Sequence, residues 1–285
     1  MRETYGVVLP SMDLSHLVGK LIVIEGTDGV GRTTQIDLLR PWLEQEGHAV
    51  LVTGMSRSSL AGRGIKRAKE GNTLGRVTST LFYATDFADR LEHEIIPALR
   101  AGFIVLTDRY IYSLMARARV RGMDGAWLRS LYSFALKPDA VFYLRIGVNE
   151  LIPRVVFSRG FDYWEAGMDL YPSEDMYEGF CKYQDALIAR FDDLAKEYGF
   201  QVVDGTKRVD AVFSRLRSGI QQVLKDGGLA AGAASVPQRK PPERQEAPAP
   251  AVAPSAESVA SSGERAGASG TKHAIQAASE EAERK

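Results

Sequence analysis

The sequence predicts an α/β protein in three layers, with a parallel five-stranded sheet covered by helices on both faces. Three observations carry that expectation. Five short apolar runs, rich in β-branched residues, recur along residues 21–203 and are separated by helical stretches. The runs are nearly continuous in apolar residues rather than alternating, as expected of strands buried on both faces. The first run ends at a glycine-rich loop that opens into a helix.

The elements follow in order. Leu21-Ile22-Val23-Ile24 is the first strand. Residues 33–45 have helical spacing, with Ile36, Leu39 and Leu43 on one face and Pro41 placed to bend the helix. Ala49-Val50-Leu51-Val52 is the second strand. Residues 78–99 are mostly helical, with Pro97 near the end. Phe103-Ile104-Val105-Leu106 is the third strand and ends at Thr107-Asp108. A helix over 126–136 leads to the fourth strand, Ala140-Val141-Phe142-Tyr143-Leu144. A long helix over 175–198 precedes the fifth, Phe200-Gln201-Val202-Val203, and a helix over 210–224 closes the series. In such sheets ligands sit beyond the carboxyl ends of the strands.

Composition narrows the function classes. The chain has 285 residues, with 36 Lys and Arg against 36 Asp and Glu, so a strongly basic nucleic-acid binder is not expected. One cysteine, Cys181, excludes an internal disulfide framework. The histidines, His16, His48, His93 and His273, show no metal-ligand spacing. No apolar run approaches the roughly 20 residues that span a bilayer, and the first twenty residues lack a secretory pattern. A cytoplasmic protein without membrane partners is expected. Three segments are distinguished: an N-terminal extension over 1–18, a domain over 19–226, and a tail over 227–285. The tail has no aromatic residue and contains the stretch APAPAVAPSAES. Such a segment buries too little apolar area to offset its ordering entropy and is expected to be disordered.

The strongest motif follows the first strand. Gly26-Thr27-Asp28-Gly29-Val30-Gly31-Arg32-Thr33 has the form G-x-x-x-x-G-K-[ST], with Arg32 where lysine is usual. Glycines let backbone N–H groups turn inward around phosphate, and the following helix adds its positive end. Residues 26–34, Thr34 included, are therefore assigned to ATP, and the Thr33 hydroxyl to Mg²⁺. Arg32 keeps the charge but is a planar fork rather than a point charge.

Ile24-Glu25-Gly26-Thr27-Asp28-Gly29-Val30-Gly31-Arg32-Thr33-Thr34-Gln35 resembles the start of thymidylate kinases. Tyr83-Ala84-Thr85-Asp86, Ile96-Pro97-Ala98-Leu99, Asp108-Arg109-Tyr110, Lys137-Pro138-Asp139 and Val203-Asp204-Gly205-Thr206 follow in family order. The resemblance covers residues 19–224. It implies a three-layer P-loop fold and ATP-dependent phosphorylation of a nucleoside monophosphate, with dTMP the first choice. It further implies roles. Asp108 orients Mg²⁺, Arg109 clamps the acceptor phosphate, and Asp28 contacts the sugar hydroxyl of the acceptor. Tyr83 stacks on the base. Arg32 and Arg159 neutralise the transferring phosphoryl group, Arg159 from a lid that also carries Arg154. Family enzymes commonly form homodimers, and a homodimer is expected here.

The chain departs from the pattern chiefly on the acceptor side. Phe87 stands where the family carries an arginine that bonds the base, and Arg90 is the nearest replacement. Thr53-Gly54-Met55-Ser56 replaces Thr-Arg-Glu-Pro, and Arg57 is the candidate for the missing charge. Ser113-Leu114-Met115-Ala116-Arg117-Ala118 keeps the family's Ser and Ala but not its Tyr-Gln. Tyr163 replaces a lid arginine, and Arg145 an acid. Tyr83, Phe87 and Arg57 are counted with Asp28 and Arg109 as acceptor-site residues. The alternatives are a nucleotide-binding regulatory or scaffold protein on the same fold, and a kinase of another phosphorylated acceptor.

Overall fold

The five apolar runs form five parallel strands in the computed structural model, which describes residues 2–9, 12–71 and 74–226. They are β1 (Lys20–Gly26), β2 (Val50–Gly54), β3 (Ile104–Asp108), β4 (Ala140–Arg145) and β5 (Gln201–Asp204). Their order across the sheet is β2-β3-β1-β4-β5. Each boundary falls within two residues of the run read from sequence. The expected tail, 227–285, lies outside the described residues.

Alternate residues of the strands serve two cores, which gives the fold its three layers. Ile22, Ile24, Ile104, Leu106, Phe142 and Leu144 pack on one face. That face is covered by α1 (Arg32–Gln45), α7 (Val148–Ser158) and α9 (Val209–Asp226). Leu21, Val23, Val105, Val141 and Tyr143 pack on the other. There the cover comes mainly from α3 (Arg76–Arg90), α5 (Ile111–Val120) and α8 (Met176–Tyr198). The helix expected over 126–136 is shorter, α6 (Gly125–Leu131). A further helix, α2 (Gly62–Glu70), is basic, with Arg63, Lys66, Arg67 and Lys69.

Pro41 and Pro97 both fall within helices. α1 continues through Pro41 to Gln45. α3 passes through a π-helical turn, Leu91–Ile95, before α4 (Ile96–Arg100). Pro97 lacks an N–H and its ring crowds the preceding turn, which the wider π turn relieves. Residues ahead of β1 also join the core: Met12 and Leu14 are buried in it, and Thr4 pairs with Leu136 in an antiparallel bridge.

Strand order fixes the site. The chain leaves β1 toward β2 and β3 on one side and returns to β4 and β5 on the other. The switch point is at the carboxyl end of β1, where ligands bind in open α/β sheets. Ile24 lies opposite Asp108, and Gly54 lies opposite the same residue on the far side of β3. The ends of β1, β2 and β3 thus converge.

Candidate active site

The loop after β1 is shaped by its glycines. Gly29 has φ +82°, and a Cβ there would lie 2.6 Å from Val155 Cγ2 on α7. Gly31 has φ +103° and forms the N-cap of α1, whose first turn carries no acidic residue. Thr33 and Thr34 are exposed in that turn. A helix start with free N–H groups and no carboxylate of its own suits an anion.

Arg32 folds back across the loop. Its Nε donates to Asp108 Oδ1 at 2.7 Å, and its Nη1 donates to the carbonyl of Gly26 at 2.6 Å and to that of Thr27. One planar fork therefore ties the end of β1 to the end of β3, a geometry a lysine ammonium does not reproduce.

The backbone at Arg109 is left-handed, with φ +75°. A non-glycine residue in that region costs roughly 1–3 kcal/mol and needs strong local constraints. Those constraints are visible. Arg109 N donates to Ile24 O at 3.0 Å, and the Thr107 hydroxyl donates to Arg109 O at 2.6 Å. Glu25, fully buried on β1, then caps α5: its Oε1 accepts Tyr110 N at 2.8 Å and Ser113 N at 3.2 Å, and its Oε2 accepts the Ser113 hydroxyl at 2.6 Å. Burial pushes the Glu25 carboxyl up despite these donors.

The strained turn sends Arg109 toward Asp28. Arg109 Nη2 donates to Asp28 Oδ1, and Arg117 Nη2 from α5 donates to Asp28 Oδ2. Burial, then the neighbouring Arg117, push the Arg109 guanidinium down to about 9, still cationic at neutral pH. The Nε atoms of both arginines are buried with no partner among the described residues. Asp28, Arg32, Arg57, Asp108 and Arg109 line one cavity of about 470 Å³ empty volume. Three guanidiniums against two carboxylates, with unspent donors behind them, fit a phosphate. Among the described residues no cluster of three or more side chains forms a metal cage. Asp108 and the exposed Thr33 fit instead a hard cation that keeps water and phosphate ligands.

A second cavity adjoins the first through Arg117. Tyr83, Leu114, Ala118, Tyr132 and Trp164 supply much of its wall, with Arg76, Arg121 and Lys69 at its polar parts. Arg121 is committed to Asp169 at 2.9 Å and to the Tyr183 hydroxyl at 2.6 Å. Burial, then Arg117, push the Lys69 ammonium down. A largely apolar slot with aromatic side chains in its wall suits a nucleobase.

The structure thus brings together Asp28, Arg32, Arg57, Asp108 and Arg109, with Tyr83 in the adjoining slot. Other residues take different places. Phe87 is fully buried, edge-on to Tyr110 at 5.0 Å and to Tyr132 at 6.0 Å between ring centroids, and does not line the slot. Arg90 is fully buried too, its Nε donating to Asp86 Oδ2 at 3.1 Å, so it does not replace the base-bonding arginine. Arg159 pairs with Glu165 at 2.6 Å, and Arg154 Nη1 donates to Val30 O at 3.2 Å. Arg145 pairs with Asp192 at 2.9 Å, outside both cavities. Sequence reasoning did not single out Glu25, Asp86, Arg117 or Tyr132. A lone carboxylate in an apolar strand was the signal for Glu25.

Residues 24–216 match the sequence profile of the thymidylate kinase family. The chain belongs to that family. A protein described as probable thymidylate kinase 2 of Saccharolobus solfataricus is 40% identical over 191 residues, covering 66% of this chain and 89% of the relative. A probable thymidylate kinase of Pyrococcus horikoshii is 38% identical over 143 residues, 48% of this chain and 70% of the relative. A thymidylate kinase of Bifidobacterium longum subsp. infantis is 31% identical over 221 residues, 73% and 88% respectively. Members of the family are phosphotransferases that convert dTMP to dTDP with ATP, generally with a divalent metal. The five-stranded parallel sheet flanked by helices is the fold of such a nucleoside monophosphate kinase. No helix among the described residues is long and apolar enough to cross a membrane.

Proposed function

We propose that this chain transfers the γ-phosphoryl group of ATP to the phosphate of dTMP. The observation that carries the assignment is Asp28 held between Arg109 and Arg117 at the seam of a cationic cavity and an aromatic slot. ATP is bound by the backbone of residues 26–34, and the acceptor base lies against Tyr83.

The residues divide the work. Phosphoryl transfer between phosphates needs no proton removed from a neutral nucleophile, so the protein supplies position and charge. Arg109 holds the acceptor phosphate, with Arg57 approaching from the β2 side of the same cavity. Arg32 lines the same cavity and neutralises charge on the transferring group. Asp28 orients the two arginines and accepts from the acceptor sugar. Thr33 and Asp108 would hold Mg²⁺, which when bound neutralises phosphate oxygens and fixes their orientation. Arg159 reaches the phosphates by exchanging Glu165 for them as the lid that carries Arg154 and Arg159 closes, with Gly160 at φ +78° beside it as the pivot.

The same proposal takes residues 19–226 as the catalytic unit, acting in the cytoplasm as a homodimer without nucleic-acid or membrane partners. The exposed Val77, Leu81 and Phe82 of α3 support self-association. The deciding experiment is ADP formation from ATP–Mg²⁺ with dTMP, dUMP, UMP, CMP, AMP and GMP. Turnover with dTMP well above the others is expected. ATP binding without turnover on any of them would overturn the proposal.

A further inference from the structure

Two buried polar atoms of residues lining the acceptor slot, Arg117 Nε and the Tyr132 hydroxyl, have no hydrogen-bond partner among the described residues. Tyr132 follows α6, is 1% exposed, and lines the slot. Its hydroxyl is buried with no hydrogen-bond partner among the described residues. Three neighbouring side chains already have partners: the Thr80 hydroxyl donates to Arg76 O at 2.8 Å, Arg117 Nη2 to Asp28, and Arg121 to Asp169 and Tyr183. The Tyr132 ring is also pinned. Phe87 packs edge-on against it at 6.0 Å, and Phe87 itself is fully buried with Arg90 over its ring. A rigid ring holding an idle hydroxyl at a cavity wall is preorganised for a ligand, because an unmet buried polar group costs free energy until a partner arrives.

We infer that the Tyr132 phenol is a base-contact residue, donating a hydrogen bond to a ring carbonyl of the acceptor pyrimidine. The inference rests on the dTMP assignment above. It also gives Phe87 a role without contact to the substrate: its ring sets the position of Tyr132. A hydroxyl just after α6 thereby supplies a polar contact that α3, with Phe87 turned into the core, does not.

The test is Tyr132→Phe in the full chain, which removes one oxygen and keeps the ring. KM for dTMP is expected to rise about five- to tenfold, the value of one hydrogen bond to a neutral group, with KM for ATP and kcat within about twofold. In thermal unfolding the ligand-free variant is expected to be at least as stable as the parent, since it no longer buries an unmet hydroxyl, while the stabilisation by dTMP shrinks. A ligand-free variant that melts lower with an unchanged dTMP shift would overturn the inference, because the hydroxyl then has an internal partner such as an ordered water. A parent that neither binds nor phosphorylates dTMP would overturn the acceptor assignment and this inference together. A parent that does both, with a variant of unchanged KM, would overturn only the role of Tyr132.

Discussion

Glu25 and Ser113 are joined by a 2.6 Å hydrogen bond, side chain to side chain, between the central strand and the first turn of α5. The bond spans the strained turn that carries Arg109, so the buried carboxylate sets where that guanidinium starts. The same carboxylate caps the helix and fixes the turn that carries the arginine.

Replacing Glu25 with Gln keeps the shape but turns one acceptor into a donor facing other donors. A loss of about 1–3 kcal/mol is expected from the unmet groups, with a fall in kcat/KM for dTMP as Arg109 is released. The pH dependence has a sign opposite to that of an ordinary salt-bridged acid. Burial raises the folded-state carboxyl above its usual 4.5, so between that value and the raised one the folded state binds more proton than the unfolded. The contribution of Glu25 to stability therefore falls as pH rises from about 4.5 through the raised folded value. Urea unfolding of parent and Glu25→Gln at a series of pH values checks this. The variant should lack that downward component, and identical slopes would refute the account.

Arg32 is expected to tolerate lysine and not alanine. Removing a charge at the transferring phosphoryl group costs on the order of 10²–10³ in kcat, so Arg32→Ala should lose at least about 100-fold in ADP formation at saturating substrates. Arg32→Lys keeps the charge but not the simultaneous bonds to Asp108 and two carbonyls. It should retain activity within roughly tenfold and melt lower. A strong rise in kcat for the lysine variant would show that the arginine obstructs the loop.

Much of this was legible in the chain because strand and loop signals are local. Continuous apolar runs mark β1, β3 and β4, and the glycine spacing marks the phosphate loop. α5 escaped the helical pattern because nearly every residue from Ile111 to Ala118 is buried, leaving no polar stripe to give a 3.6-residue period. The acceptor side was harder for a tertiary reason. Arg90 read as a replacement for the base-bonding arginine, yet it is buried against Asp86, whose carboxylate accepts from the loop after β2. Arg117 read as the loss of a tyrosine until the fold set it beside Asp28.

Asp86 accepts the backbone N–H groups of Ser56 at 3.0 Å and Ser58 at 2.9 Å, one on each side of Arg57. It is a positioning residue for that arginine. Asp86→Ala strands the buried charge of Arg90 and should cost roughly 3–5 kcal/mol. A readout of position separates this from instability. In the milder Asp86→Asn, which still accepts one N–H, KM for dTMP should rise several-fold at a temperature where the variant is fully folded, with KM for ATP unchanged. Equal changes in both constants would remove the positioning role.

Arg117 and Arg109 share Asp28 but not the same side of the site. Arg117 also lines the aromatic slot, whereas Arg109 lines the phosphate cavity. Their alanine variants should therefore differ in kind. Arg109→Ala removes the clamp on the reacting phosphate and should lower kcat by about 100-fold or more. Arg117→Ala frees Asp28 Oδ2 and opens the slot, so it should act mainly on KM for dTMP, by about tenfold, with kcat less affected. The double variant supplies the decisive term. Two groups bonded to one carboxylate are coupled, so the combined loss in kcat/KM should differ from the sum of the single losses by at least about 0.5 kcal/mol. Strict additivity would mean that Asp28 does not link them, and the shared carboxylate would then be a packing feature rather than the hinge between the two halves of the site.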